Sequence, residues 1–254
     1  MLKQPCIASH IVEFSTLPSK CAYLHDRKAR MEYKYIKDCS YNLNDGLVKR
    51  GWRRFGEYFS RPQCDNCKEC ISVRIDAREF KFSKSVRRVL KKNANQTSII
   101  LRKPSITKEH VKLYNKYHFH MQKKRGWKHY PLNLQSYYEL YVNGYGSFGL
   151  EFLYFCDGKL VGVDLVDEIS DGLSSIYFFY DPDYAHLSLG RYSIYQQILY
   201  ALNSNKRWIY LGYYVKNCQS LEYKRSYKPL EILKNNPKEN QTPIWSKENL
   251  NFNC

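Results

Sequence analysis

Apolar and polar positions in the second half of the chain follow two clear periods. From Thr107 to Gly126, Val111, Leu113, Tyr114, Tyr117 and Met121 fall near one face of a helix, which the glycine ends. A shorter helix is expected from Asn133 to about Gly144. The period then changes. Phe152 to Cys156 and Leu160 to Val166 are apolar runs joined by Asp157-Gly158, a pair that favours a tight hairpin. Asp171-Gly172 leads into a third run, Leu173 to Tyr180, which predicts a three-stranded antiparallel meander ended by Asp181-Pro182. Tyr192, Tyr195, Ile198, Leu199 and Leu202 make the buried stripe of a helix from about Leu189 to Asn203, and Trp208 to Leu211 reads as one more strand. Helices and antiparallel strands in this order predict an α+β fold.

The first half reads differently. Up to about residue 95 there are few clean periodic segments. Helical spacing begins near Ser83, where Ser83-Lys84-Ser85 can cap a helix through Val86, Val89 and Leu90. The expected organisation is therefore a basic, cysteine-rich N-terminal domain over 1–95 and a larger domain over 96–234. Residues 235–254 are polar and asparagine-rich and are expected to form a loosely attached tail.

Charge narrows the possible partners. The chain has 254 residues and a net charge of +17, a surplus that suits nucleic acid or anionic lipid unless it reflects only a generally basic composition. Between Arg74 and Lys103 ten basic residues face only two acidic ones; this is either a solvated face or a surface that tracks phosphates. No apolar run approaches a membrane span, Tyr177-Phe178-Phe179-Tyr180 being far too short, so no membrane partner is expected. Met1 to Phe14 lacks the apolar core of an export signal, and nine cysteines without one point to a reducing cytoplasm.

Cys64, Cys67 and Cys70 are spaced so that thiolates can converge on one tetrahedral ion, zinc or an iron–sulfur cluster, with Cys21 as the best fourth ligand. The second cysteine pair of a full zinc ribbon is missing, so free, partly buried thiols stand as the alternative. Cys6, Cys39, Cys156, Cys218 and Cys254 are isolated and read as small core hydrophobes. His118, His120 and His129 are not at metal-ligand spacing with the cysteines and receive no role.

Several segments together resemble one family. They are Cys21-Ala22-Tyr23-Leu24, Gly51-Trp52-Arg53-Arg54, Tyr58 to Pro62, Cys64 to Cys70 and Arg74 to Asn93. In the second half they are Ser174-Ser175-Ile176-Tyr177, Tyr180-Asp181-Pro182, Ser188-Leu189-Gly190 and Tyr210 to Lys224. In this order, over roughly residues 20 to 231, the chain is similar to the arginyl-tRNA–protein transferases, and most to their bacterial branch of aspartate/glutamate leucyltransferases. The resemblance implies an acetyltransferase-like (GNAT-type) C-terminal domain and a smaller cysteine-bearing N-terminal domain. It implies transfer of leucine from Leu-tRNA to proteins with N-terminal Asp or Glu, marking them for downstream proteolysis, with no cofactor required for transfer. Arginyl transfer by the same fold is the rival within the class. A non-catalytic, zinc-containing nucleic-acid-binding protein is the rival outside it.

The implied reaction is aminolysis of an ester, in which the acceptor's α-amine is the nucleophile. The enzyme must then position both substrates, take a proton and stabilise an oxyanion. By resemblance Asp167 is the first candidate to assist the amine, with Asp164 behind it. Strand periodicity puts the two on opposite faces, so at most one meets the pocket. Ser188, Leu189 and Gly190 open a helix whose free N–H groups suit an anion such as the terminal nucleotide of tRNA. A single glycine there departs from the pyrophosphate loop of CoA-using relatives. Tyr177, Tyr210, Tyr213, Tyr214, Tyr223 and Lys224 are expected around the aminoacyl or acceptor pocket, with Lys224 meeting the acceptor's carboxylate. Trp52, Arg53, Arg54, Arg74, Arg87 and Arg88 are candidates for the tRNA or acceptor surface.

Overall fold

The computed structural model describes residues 10–247. The N-terminal part is more regular than its sequence pattern suggests. β1 (His10–Ser15), the short pair β2 (Ser19–Lys20) and β3 (Lys28–Ala29), and β4 (Met31–Lys37) lead to α1 (Tyr41–Lys49), which Ser40 caps by accepting the Leu43 N–H. β5 (Arg53–Phe55) and β6 (Tyr58–Pro62) complete a four-stranded antiparallel sheet in the order β1-β4-β6-β5. Its core holds Ile36, Leu47, Trp52, Phe59 and Phe148.

β7 (Ile71–Asp76) then leaves for a larger sheet, followed by α2 (Lys84–Ala94), β8 (Ser98–Arg102) and α3 (Lys108–Arg125). The expected caps form: Ser83 accepts the Val86 N–H, Thr107 accepts the His110 N–H, and Gly126 ends α3 in the left-handed region. α4 (Leu134–Tyr137) continues into a π turn over Tyr138–Val142. The meander follows as β9 (Gly149–Cys156), β10 (Lys159–Ile169) and β11 (Gly172–Tyr180). A 3₁₀ turn, Pro182–Leu187, enters α5 (Leu189–Asn203), and then come β12 (Trp208–Tyr214), a second 3₁₀ turn over Glu222–Ser226, β13 (Leu230–Leu233) and β14 (Trp245–Lys247).

The large sheet runs β14-β13-β7-β12-β11-β10-β9-β8. Its expected N-terminal boundary near residue 95 does not coincide with the sheets, because β7 pairs with β12 and α2 packs on α5. Nor are residues 235–247 loose: β14 extends the sheet, and Arg61 and Arg50 donate to the Pro237 and Glu239 carbonyls. One face of the sheet buries Val166, Leu173, Ile209 and Tyr192 with α2 and α5; the other buries Leu113, Tyr137, Val163, Leu165 and Phe179 with α3 and α4.

All neighbours in this sheet are antiparallel except β11 and β12, between which α5 crosses. Their pairing covers only Gly172↔Trp208, Leu173↔Ile209 and Ser174↔Tyr210. Irregularities sit at this level in both strands. Against β10 the register of β11 skips Ile176, and against β7 that of β12 skips Leu211. Extra residues of this kind bend a strand. The two strands part beyond Ser174, leaving a fork in the middle of the sheet.

Candidate active site

Arg53 fills the fork. It leaves β5 and donates through Nη1 to Ser174 Oγ at 3.4 Å and through Nη2 to the Ser175 and Ile176 carbonyls, which are freed where β11 parts from β12. Gly212 makes this possible. It has φ +75°, and a Cβ built there would stand 2.7 Å from Arg53 Nε. Burial lowers the pKa of the Arg53 guanidinium below its usual value, and the carboxylate whose field reaches it, Asp167, already has a partner.

That partner is Arg54. Its Nε and Nη2 meet Asp167 Oδ2 and Oδ1 at 2.7 and 2.6 Å, both side chains are buried, and Arg54 Nη1 also donates to the Gly56 carbonyl. Alternate residues of β5 thus point to different ends: Arg54 bolts the small sheet to β10, while Arg53 enters the fork. Asp167 was the first candidate to assist the amine. Both of its oxygens are held by one guanidinium, a buried pair that joins the small sheet to β10.

Asp164 lies on the opposite face, as periodicity requires. It is fully buried, Gln197 Nε2 of α5 donates to its Oδ2 at 2.8 Å, and its Oδ1 has no protein partner. Burial raises its carboxyl to about 7, and the one hydrogen bond from Gln197 offsets this only in part. Its charge also reaches the Tyr223 hydroxyl. A carboxyl balanced near neutrality is suited to moving protons. Gln197 carried a signal in the sequence that was not read: it is an amide inside the otherwise apolar stripe of α5.

Lys224 stands near Arg53. It is 7% exposed, donates to the Tyr213 carbonyl at 2.7 Å, and is lowered to about 7 by burial and then by the Arg53 charge. Tyr223 beside it is exposed at the rim. Tyr213 lies deeper, its hydroxyl donating to the Gly51 carbonyl, and Tyr214 is buried. Tyr177 sits on the α3 side, bonded at 2.7 Å to His118 Nε2, so that the histidine left without a role positions a candidate residue. Burial and His129 together depress His118 to about 4, which keeps it neutral.

Other candidates lie elsewhere. Arg74 is stacked between Trp208 and Trp245 at 3.6 and 4.5 Å and clamped by Glu231 at 2.6 Å, and Tyr210 bonds to it. Tyr210 is buried and Arg74 half-buried in these contacts. Trp52 is a core ring under Arg61 and Lys34. Arg87 and Arg88 are exposed on α2. Ser188 is exposed with φ 54° and makes no side-chain cap, a Cβ built on Gly190 would stand 3.8 Å from the Phe178 ring, and Leu189 is wholly buried.

The cysteines do not fit a metal centre. Among the described residues no three His, Cys, Asp or Glu side chains converge as a ligand set, and the seven described cysteines are free. Cys21 Sγ accepts the Tyr23 and Leu24 N–H groups, Cys64 lies against the Arg30 backbone, and Cys67 accepts from Arg27. Burial, and then the neighbouring Cys21, Cys64 and Cys67 thiols, push the Cys70 thiol up to about 12. Of the expected ligand set, Cys21, Cys64 and Cys67 make individual hydrogen bonds, and Cys70 lies within the field of all three. Cys39, Cys156 and Cys218 are buried as expected, whereas Cys6 and Cys254 lie outside the described residues.

A two-part chain with a basic, cysteine-bearing front and a forked sheet behind it belongs to the arginine-tRNA-protein transferase family. The family's N-terminus matches residues 19–88 and its C-terminus residues 109–234. The chain is similar to aspartate/glutamate leucyltransferases. That of Campylobacter jejuni is 51% identical over 238 residues, 93% of this chain and 99% of that protein. Those of Helicobacter hepaticus and Pseudomonas entomophila are 40% and 35% identical, over 94% and 87% of this chain and 99% and 93% of those proteins. Among solved structures, the C-terminal domain of a putative lysylphosphatidylglycerol synthetase from Agrobacterium fabrum aligns with TM-score 0.45 and 12% identity, over 59% of this chain and 48% of that one.

Proposed function

We propose that this protein moves leucine from Leu-tRNA to the N-terminal Asp or Glu of acceptor proteins. The observation that carries this is the 51% identity to an aspartate/glutamate leucyltransferase over nearly the whole of both chains. The side chains around the fork agree with it. They are largely aromatic, and the two carboxylates nearest it are buried, Asp167 in the grip of Arg54; an arginyl substrate would call for an open carboxylate. Incubating the protein with labelled Leu-tRNA or Arg-tRNA and an Asp-starting peptide tests the reading. Label should pass from Leu-tRNA; preferential transfer from Arg-tRNA would overturn the choice of leucine.

In the transfer, the acceptor's α-amine attacks the leucyl ester carbonyl, the new C–N bond forms, and the terminal ribose oxygen of tRNA leaves with a proton. Asp164 is the carboxyl we assign to the proton lost by the amine, in place of Asp167. The start of α5, with Ser188 exposed and no side-chain cap on its first turn, is assigned to an anionic part of the tRNA end. It sits over Phe178, which pairs with Asp164 across β10 and β11, so the two assignments share one face. Two strands parted around a polar core, with a helix crossing between them, support reading the large sheet as acetyltransferase-like. Acceptors with acidic N-termini, a cytoplasmic location and hand-over of products to proteolysis belong to the same proposal. No described helix is long and apolar enough to cross a membrane.

A further inference from the structure

Two cations stand close together in the fork with no carboxylate of their own. Arg53 is held by Ser174 Oγ and two carbonyls, and Lys224 by the Tyr213 carbonyl. Among the described residues neither forms an ion pair, although the chain pairs its other buried cations: Arg54 with Asp167, Arg61 with Glu32, Arg74 with Glu231 and Lys34 with Glu13 and Glu239. Burying like charges side by side without a counter-ion is costly. A substrate anion would offset that cost.

We infer that Arg53 and Lys224 together receive the acidic side chain of the acceptor's first residue, and that Lys224 takes up a proton as it binds. The inference rests on the leucyl-transfer reading. A carboxylate suits the site better than a tRNA phosphate does. Both cations are held by hydrogen bonds to the protein and the Gly212 backbone packs against Arg53, whereas the cations of α2 lie exposed along the helix. The groups facing Lys224 are Arg53 from β5, the Tyr213 carbonyl from β12, and the thiols of Cys70 and Cys218. The Cys70 thiol is pushed up to about 12 and stays neutral, so Arg53 is the charge that acts on the empty site.

The sign follows from linkage. The Lys224 amine is lowered to about 7, so between there and its ordinary value the free enzyme holds it largely unprotonated. An arriving carboxylate favours the ammonium, so binding consumes a proton in that window and weakens as pH rises through it. An Asn-starting peptide has no such charge. The acceptor's own α-amine titrates in the same window, higher in the Asp peptide because of its neighbouring carboxylate, so each peptide's amine is titrated separately and the preference is compared on the unprotonated amine.

The test compares Asp- and Asn-starting peptides over roughly pH 6 to 9, by steady-state transfer from Leu-tRNA and by calorimetric binding in buffers of different ionisation enthalpy. The wild type should take up protons on binding the Asp peptide only, and its Asp-over-Asn preference should fall with pH. Lys224→Arg should keep the preference and flatten its pH dependence. Lys224→Met and Arg53→Gln should each raise the Asp-peptide KM by roughly 10–100-fold and leave the KM for Leu-tRNA near wild type. An unchanged preference in folded Lys224→Met protein, or an undiminished pH dependence in Lys224→Arg, would overturn the inference. A rise in the KM for Leu-tRNA alone would also overturn it, and would mean the pair holds phosphate. Should the wild type bind the Asp peptide with proton uptake yet transfer no leucine, the leucyl reading fails while the carboxylate site stands.

Discussion

At the joint between the two sheets, Arg54 meets both oxygens of Asp167 and every polar atom there has its match; one residue earlier, in the fork, Arg53 is surrounded by carbonyls and a second cation. The two regions share a strand and a residue type, Arg54 being buried and Arg53 partly so. They differ in whether the protein supplies the counter-charge. A buried pair complete within the chain makes structure, because removing either member strands the other. A buried cation without its anion weakens the fold locally and gains a reason only when a ligand brings the missing charge. The same contrast separates the two aspartates of β10: Asp167 is satisfied, whereas Asp164 keeps one oxygen unpartnered and a carboxyl raised to about 7.

The largest effect should come from Asp164. Asp164→Asn is expected to lower single-turnover transfer by about 10²–10⁴-fold, the range for loss of a positioned proton acceptor. Stability should move the other way. A carboxyl raised in the folded state adds stability below its unfolded value, and that stability is lost as pH rises from there through about 7. Above this window the wild type carries a buried charge that asparagine does not. Thermal melts at about pH 8 should therefore show the variant no less stable than the wild type, with the balance shifting toward the wild type in acid. Near-wild-type turnover would remove Asp164 from the chemistry.

Asp167→Ala should behave in reverse. It leaves Arg54 buried and unpaired, a loss of about 3–5 kcal/mol in urea unfolding. Any fall in transfer should follow the folded fraction. Turnover lost at full stability would return Asp167 to the reaction.

This pairing of partners is the part of the molecule that was hardest to read beforehand. The meander was legible because Asp157-Gly158 and Asp171-Gly172 mark its turns locally, and α5 because its apolar stripe repeats within one helix. The four-stranded sheet was not. β4 reads Met31-Glu32-Tyr33-Lys34-Tyr35-Ile36-Lys37, half-exposed along most of its length, and its partner β6 lies more than twenty residues away. α1 hid in Asn42, Asn44, Asp45 and Gly46, residues that favour turns; packing overrides their propensity. At the candidate site, Trp52-Arg53-Arg54 does not say which arginine has a carboxylate partner. Only the bulges that open the fork and the pairing of β10 with β9 and β11 decide that. Tyr210 and Arg74 resembled site residues for the same reason, since stacking against Trp208 and Trp245 depends on β7 and β14 reaching the sheet from far apart in the chain.

The smallest effect concerns exposed cations without an ion-pair partner among the described residues, Arg87 donating only to the Phe82 carbonyl. Arg87 and Arg88 project from the exposed face of α2, and Lys84 and Lys91 flank them. Their charges cost the fold little, since water screens them. They can displace counter-ions from tRNA without any fixed geometry, unlike Arg53. Replacing both with glutamate should leave melting temperature and the Asp-over-Asn preference unchanged. It should flatten the log–log dependence of Leu-tRNA affinity on salt by about 1–2 units, at about 0.9 for each duplex phosphate no longer neutralised. Filter binding at several salt concentrations reads the slope directly. If the slope is unchanged, tRNA approaches over another surface, and the end of α3 at Lys123, Lys124, Arg125 and Lys128, also exposed, is the next to alter.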